Sequence, residues 1–278
     1  MKTTRKTADK LRYSRVILKE LVKTDFQLRY QGSFLGVAWS VLKPLMLFCV
    51  MYVVFVRFLK FSDGTPTFPM VLLLGIGLWN FFSEATTMGL NGITGRGDVL
   101  RKVDFPKYII VVSATVGSLI SLAINMGVVL VFCIFTHVQF TWNVLWLPLN
   151  FLQLYILALG MALLLATMNV FFRDIQHIWE VVMQALFYAT PIIYPLSLVV
   201  TQLGPKGVII QKLMLLNPTA QIIQDIRHNL IAPDTTPTVW TMWNGSPLQF
   251  IPLLLTLLIL WLGAYVFHKH SAKFAEVL

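Results

Sequence analysis

The chain has 278 residues, 57% of them hydrophobic and only 12% charged, with a mean hydropathy of +0.74 and a net charge of +10. A soluble domain carries about 25% charged residues, so this composition excludes a water-soluble fold and sets most of the surface against hydrocarbon. The positive charge is not a nucleic-acid face: nine of the 22 Lys and Arg residues lie in the first 30 positions, and most others flank apolar runs, as cations facing anionic headgroups do.

The N-terminal segment, residues 1–34, is amphipathic. Arg12, Arg15, Lys19 and Lys23 recur at three- and four-residue spacing, with Ile17, Leu18, Leu21 and Leu28 on the opposite face. This predicts a cytoplasmic helix lying in the membrane interface, cations toward the headgroups. Its long basic region, followed by no small-residue cleavage site, does not read as a signal peptide.

A spanning helix needs about 20 largely apolar residues. Six stretches meet this: Leu35–Val56, Phe68–Leu90, Tyr108–Thr136, Val144–Phe171, Ile178–Val199 and Leu248–Phe267. Only helices or closed barrels satisfy the backbone in lipid, and the runs lack the alternation of barrel strands. The fold class is therefore all-α: a polytopic membrane protein with six spans over residues 35–267 and a short tail, 268–278. Pro191 and Pro195 distort the fifth stretch.

Orientation follows from charge. With the N-terminus inside, sixteen Lys and Arg residues fall on the cytoplasmic side and five outside, so both termini are expected in the cytoplasm. Residues 200–247, between the last two stretches, are moderately apolar and interrupted at Asn217-Pro218. They are too short for another hairpin of full spans and predict short re-entrant or interfacial helices.

No catalytic residues emerge. The sequence has no HExxH, no GxSxG and no cysteine–histidine metal spacing; Cys49 and Cys133 lie singly in apolar runs. Gly92 and Gly97 are spaced as in a phosphate loop, but Asp98 stands where its lysine is required, so any ATP and Mg would be bound by another chain. A charge at the centre of a span costs about 2.5–3.5 kcal/mol, which singles out Lys43 and Glu84. Lys43 either lines a polar path or snorkels to the surface; Glu84 suits a structural partner or a lumen. Trp39, Tyr188 and Tyr194 are aromatic candidates for a sugar path, against the commoner role of packing or interfacial anchoring.

The connection 94–107 is mixed in charge. Val99, Leu100, Val103 and Phe105 give one greasy face to a short helix stopped by Pro106, flanked by Arg101, Lys102 and Asp104. Such a helix offers knobs to a partner protein. The next cytoplasmic connection holds Phe172-Arg173-Asp174-Ile175.

Five motifs in order resemble the polysaccharide-exporting permeases of type-2 ABC transporters. Arg29-Tyr30-Gln31-Gly32-Ser33-Phe34-Leu35-Gly36, continued by Trp39-Ser40 and Lys43-Pro44-Leu45, is similar to the start of their first span. Leu100 to Pro106 resembles their cytoplasmic coupling segment. Phe172 to Ile175, then Thr190-Pro191-Ile192-Ile193-Tyr194-Pro195, then Leu216-Asn217-Pro218, resemble their later motifs. The resemblance covers nearly the whole chain. It implies a homodimer in a bacterial cytoplasmic membrane, paired with two copies of an ABC ATPase subunit. The implied cargo is lipid-pyrophosphate-linked polysaccharide such as O-antigen or teichoic acid. It also implies that the N-terminal helix and Leu100–Phe105 touch the ATPase, and that the helices around Asn217 cap the path. A drug or small-lipid exporter of the same architecture is the competing reading. An intramembrane transferase would need acidic residues or histidines clustered at one depth, and here they are scattered.

Overall fold

The computed structural model describes residues 13–25, 27, 36–60, 64–97, 100 and 105–277, and every regular element among them is helical. Residues 13–25 form α1. The chain continues through α2 (Trp39–Met51, prolonged by a π-helical stretch, Tyr52–Phe58), α3 (Phe68–Gly92), α4 (Tyr108–Phe135) and α5 (Leu147–Phe171). Shorter helices follow: α6 (Ile175–Ala189), α7 (Leu196–Leu203), α8 (Pro205–Met214), α9 (Pro218–Leu230) and the four-residue α10 (Val239–Met242). A long helix, α11 (Ile251–His270), and a last turn, α12 (Phe274–Val277), complete the chain.

Five helical segments are long and apolar enough to cross a membrane: Val41–Phe58, Phe68–Gly92, Tyr108–Phe135, Trp142–Phe171 and Pro247–Lys273. They match the first four and the last of the six expected stretches. The first belongs to α2, which starts at Trp39, and it runs on to Phe58; Leu35 lies outside the described residues. The fifth stretch, Ile178–Val199, is not one helix, which corrects that expectation. Helix α6 ends at Ala189, and Thr190 takes an extended backbone with ψ of 134°. Pro191 has no N–H to continue the ladder and disfavours helical geometry at Thr190. The chain resumes as α7 only after Pro195.

Helix α3 is the buried axis, with α4 and α5 packed along it and α11 packed along α5. Small residues set these distances. A Cβ on Gly160 of α5 would lie 2.6 Å from the Cα of Leu260 on α11, and one on Gly263 would strike the carbonyl of Gly160. A Cβ on Gly89 of α3 would lie 2.5 Å from that of Ala162 on α5. Without a hydrophobic drive between helices in lipid, such close backbone approach is what dispersion requires.

A buried side chain fastens the break after α6 to the rest of the bundle. Arg227 of α9 is 2% exposed. Its guanidinium donates to the carbonyls of Pro191 (2.5 Å) and Ile192 (2.6 Å) in the break, and to that of Val71 (3.0 Å) in α3. Gly75 makes the space, since a Cβ there would collide with the guanidinium. Helix α9 is itself placed by Asn217, whose side-chain oxygen accepts from the Thr219 N–H at 3.0 Å, and by Pro218 in its first turn. It is also tied to α5, by Gln153–Gln221 (2.7 Å) and Asn229–Asn150 (2.9 Å). The pair of short helices expected around Asn217-Pro218 is thus present as α8 and α9.

The opposite end of the bundle gathers the two ends of the described chain. Ile93, Leu100, Phe105, Ile109, Phe267 and Phe274 form a second apolar cluster there, and Ile17, Leu18 and Leu21 of α1 pack on it. Arg15, Lys19 and Lys23 are exposed, so α1 is amphipathic as its spacing predicts; Arg12 and Leu28 lie outside the described residues. Asp25 pairs with Arg96, and Arg96 also reaches the Ser113 hydroxyl at 3.4 Å, tying α1 to the turn after α3 and to α4. Burial lowers the Arg96 pKa, but a guanidinium remains charged. Lys107 donates to the Ser271 carbonyl at 2.6 Å and closes the C-terminal end onto the same face.

Replacing Arg227 with Leu strips the carbonyls of Pro191 and Ile192 of this donor, takes a second donor from Val71, and is expected to cost about 3 kcal/mol or more. Thermal unfolding of the purified protein in detergent measures this. Arg227→Lys, which keeps the charge but not the fork, should fall between the two. An unchanged midpoint for Arg227→Leu would show that the break holds by itself.

Candidate functional site

On α3, the positions left partly uncovered in the helix body are Asn80, Ser83, Glu84, Thr87, Met88 and Asn91, while Phe81, Phe82, Ala85, Thr86, Gly89 and Leu90 between them are buried. Spacing of three and four residues puts the uncovered set on one face. Ser121 and Asn125 of α4 line the same space, and α2 supplies Trp39, Lys43 and Pro44. Together they bound a polar groove of about 530 Å³ along three of the five helical segments long and apolar enough to span. The Ser121 hydroxyl donates to Glu84 at 3.3 Å across the α3–α4 contact.

The groove brings together three of the candidates singled out in the sequence: Trp39, Lys43 and Glu84. Lys43 lines the groove and is itself exposed, a position that fits either of its two roles. Asn80, Ser83, Thr87, Ser121 and Asn125 were missed, although their signal is legible. Each is polar in an apolar run, and within each helix they repeat at i, i+3, i+4 or i+7, the period of one helix face.

The remaining candidates lie elsewhere. Tyr194 donates its hydroxyl to the Tyr188 carbonyl at 3.0 Å, bridging the break after α6, and the Tyr188 ring is exposed beside Phe187. Asn217 is a helix cap. Arg173 and Asp174 are exposed in the turn between α5 and α6, on the face that carries the termini. Of the 94–107 segment, Val99, Arg101, Lys102, Val103 and Asp104 lie outside the described residues. Leu100 and Phe105 are buried in the chain's own apolar cluster, so the knobs expected to point outward face inward; Pro106 is exposed.

Helix α6 closes one side of the α3 bundle. Trp179 donates to the Thr86 hydroxyl at 3.2 Å, and the rings of Phe187 and Trp79 lie 5.7 Å apart. Amides, hydroxyls, one carboxylate and one ammonium can exchange hydrogen bonds with a hydroxylated solute or with water along the groove. Among the described residues no cluster of His, Cys, Asp or Glu could hold a metal ion.

The family model for ABC-2 type transporters matches residues 17–231. The O-antigen export system permease protein RfbA of Myxococcus xanthus is 30% identical over 266 residues, spanning 94% of this chain and 95% of that protein. Two O-antigen export system permease proteins RfbA of Klebsiella pneumoniae are 25% and 24% identical, each over 94% of this chain and 95% of their own length.

The groove is expected to hold water. In a variant with Cys49 and Cys133 replaced by Ala, Cys introduced at Thr87 or Asn80 should react with a hydrophilic thiol reagent in membranes. Cys introduced at the buried Ala85 should stay unmodified. Equal labelling of all three, or of none, would contradict a polar path on this face.

Proposed function

The chain belongs to the ABC-2 type transporter family, and from that premise we propose that it is the permease subunit of an ATP-driven exporter of lipid-linked polysaccharide. The cargo class is that of an O-antigen or similar cell-envelope glycan. The observation that carries this reading is the near full-length similarity to O-antigen export permeases, on a chain with three apolar helices bounding a polar groove.

The bias of Lys and Arg supports a cytoplasmic face at the end that gathers the termini. In that orientation the cytoplasmic membrane is crossed six times, the fifth time by α6 and the broken segment beyond it. Fifteen residues of α6 rise about 22 Å, short of the roughly 30 Å hydrocarbon core. The stretch from Thr190 to Pro195 makes up the difference, and α7 to α10 then sit at the outer face as a re-entrant cap. Arg227 supports this, because irregular backbone at membrane depth requires protein donors.

A copy of the chain offers half a conduit. Only 6% of the Val41–Phe58 helix is buried, so α2 has a face for a second copy, and two grooves facing each other would enclose a channel. A polymer longer than any occluded cavity needs such a continuous path. ATP and Mg bind the partner ATPase, two copies per dimer. It docks beneath α1, the 94–107 segment and the exposed turn at Arg173-Asp174. Closure of the ATPase dimer then shifts the permease dimer between two packings. The clamp of Asp25 on Arg96 makes α1 and that segment move as one body.

Deleting the gene from its host should abolish the surface polysaccharide, accumulate lipid-linked glycan on the cytoplasmic side, and be reversed by the wild-type chain. Normal surface glycan in the deletion strain would overturn the proposal. Because Leu100 and Phe105 are buried, the docking test uses Phe172, which is 68% exposed in the turn beside Arg173. Phe172→Asp should leave insertion intact and reduce copurification of the ATPase by about tenfold, the equivalent of about 1.4 kcal/mol.

A further inference from the structure

A second cavity, also of about 530 Å³, lies away from the groove, between α5, α9, α10 and α11 at the end opposite the termini. Its size is that of a small-molecule site, about 300–1,000 Å³. At its floor is Asp225, 2% exposed. One carboxylate oxygen, Oδ2, accepts from Gln221 at 2.6 Å and from the Trp240 indole N–H at 2.8 Å. The other, Oδ1, is buried with no hydrogen-bond partner among the described residues. Leaving a buried acceptor empty costs about 1–3 kcal/mol, more when it is charged, so the site calls for a donor from outside the chain.

The rest of the floor is bifunctional. Asn150 and Gln153 line the cavity beside Asp225 and are both buried. Each primary amide carries two N–H groups, and the bonds Asn229–Asn150 and Gln153–Gln221 leave amide hydrogens over. An ammonium group would satisfy Asp225 but offers nothing to these donors. A hydroxyl both donates and accepts, so a set of hydroxyls answers all of them. The mouth is different in character: Leu149, Leu152, Leu253 and Leu257 are all exposed, from α5 and α11, two of the helices long and apolar enough to span. The Trp146 and Trp240 rings flank it, both part-exposed, and aromatic faces suit both sugar rings and the membrane interface.

We propose that this cavity binds a single lipid whose headgroup carries several hydroxyls, the hydroxyls on Asp225, Asn150 and Gln153 and an acyl chain along the four leucines. The site lies in the outer leaflet, a placement that rests on the orientation argued above; the binding chemistry does not depend on export.

The test uses the full chain in phosphatidylcholine nanodiscs doped with glucosyl-diacylglycerol or phosphatidylethanolamine of matched acyl chains, followed by native mass spectrometry of retained lipid. Glucosyl-diacylglycerol should be retained about tenfold over phosphatidylcholine, about 1.4 kcal/mol. Asp225→Asn, which turns the open acceptor into a donor, and Leu257→Trp, which fills the mouth, should each bring it down to the phosphatidylcholine level. Leu257→Trp lies on an exposed position, so it remains informative if Asp225→Asn fails to fold. Equal retention of all lipids, preference for phosphatidylethanolamine, or wild-type retention in Leu257→Trp would each overturn the proposal. Export by Leu257→Trp, measured separately, distinguishes failure of this site from failure of the transport reading.

Discussion

A guanidinium buried among backbone carbonyls is the contact on which this fold turns. Two prolines interrupt an apolar run that would otherwise continue as a helix, and the carbonyls freed at Pro191 and Ile192 need donors in a place where water is scarce. Arg227 supplies both and reaches a third, Val71, on the central helix. Its planar fork allows one residue to do this, where a lysine would bring a single point of charge. The guanidinium fits only because α3 has Gly75 at the point of closest approach. The rest of the far end follows: α9 carries the arginine, Asn217 and Pro218 start α9, and paired amides fasten it to α5.

The helix packing leaves a deliberate asymmetry. Small residues bring α3, α5 and α11 so close that little of α3 is left uncovered, and what remains uncovered is mostly polar. Helix α2 is the reverse: apolar, nearly unburied, and adjacent to the polar face of α3. A lone copy in lipid would present Asn80, Ser83, Glu84 and Thr87 near hydrocarbon at a cost, and a second copy across the groove removes that cost. On the proposed reading, the groove and the uncovered α2 are two signs of one arrangement, a wall of a path shared between protomers.

Much of this was legible in the sequence because hydropathy and helical period act locally. Five of the six apolar stretches are helices, α1 is amphipathic, and the interruption at Asn217-Pro218 does separate two short helices. The failures have a common origin in contacts between distant residues. The fifth stretch is apolar enough to pass for a span, and its prolines mark the break. Arg227 counted merely as a positive residue of an outer segment, because its partners are carbonyls, which no residue pattern records. Asp225 passed unnoticed for the same reason. Leu100 and Phe105 form an apolar face as their spacing predicts, but a greasy face does not say which protein covers it, and here the chain covers it itself. The polar stripes of α3 and α4 could have been found by asking for periodicity in the polar residues of an apolar helix.

The central claim is that the groove walled by α2, α3 and α4 is the path of an ATP-driven glycan exporter. Its most direct test is transport by the chain reconstituted with its ATPase in proteoliposomes, using lipid-linked glycan and a Thr87→Cys variant free of other cysteines. A bulky hydrophilic thiol reagent on that cysteine should stop ATP-dependent appearance of glycan on the opposite side while leaving the permease–ATPase complex assembled. Undiminished transport with the cysteine fully modified would contradict the account.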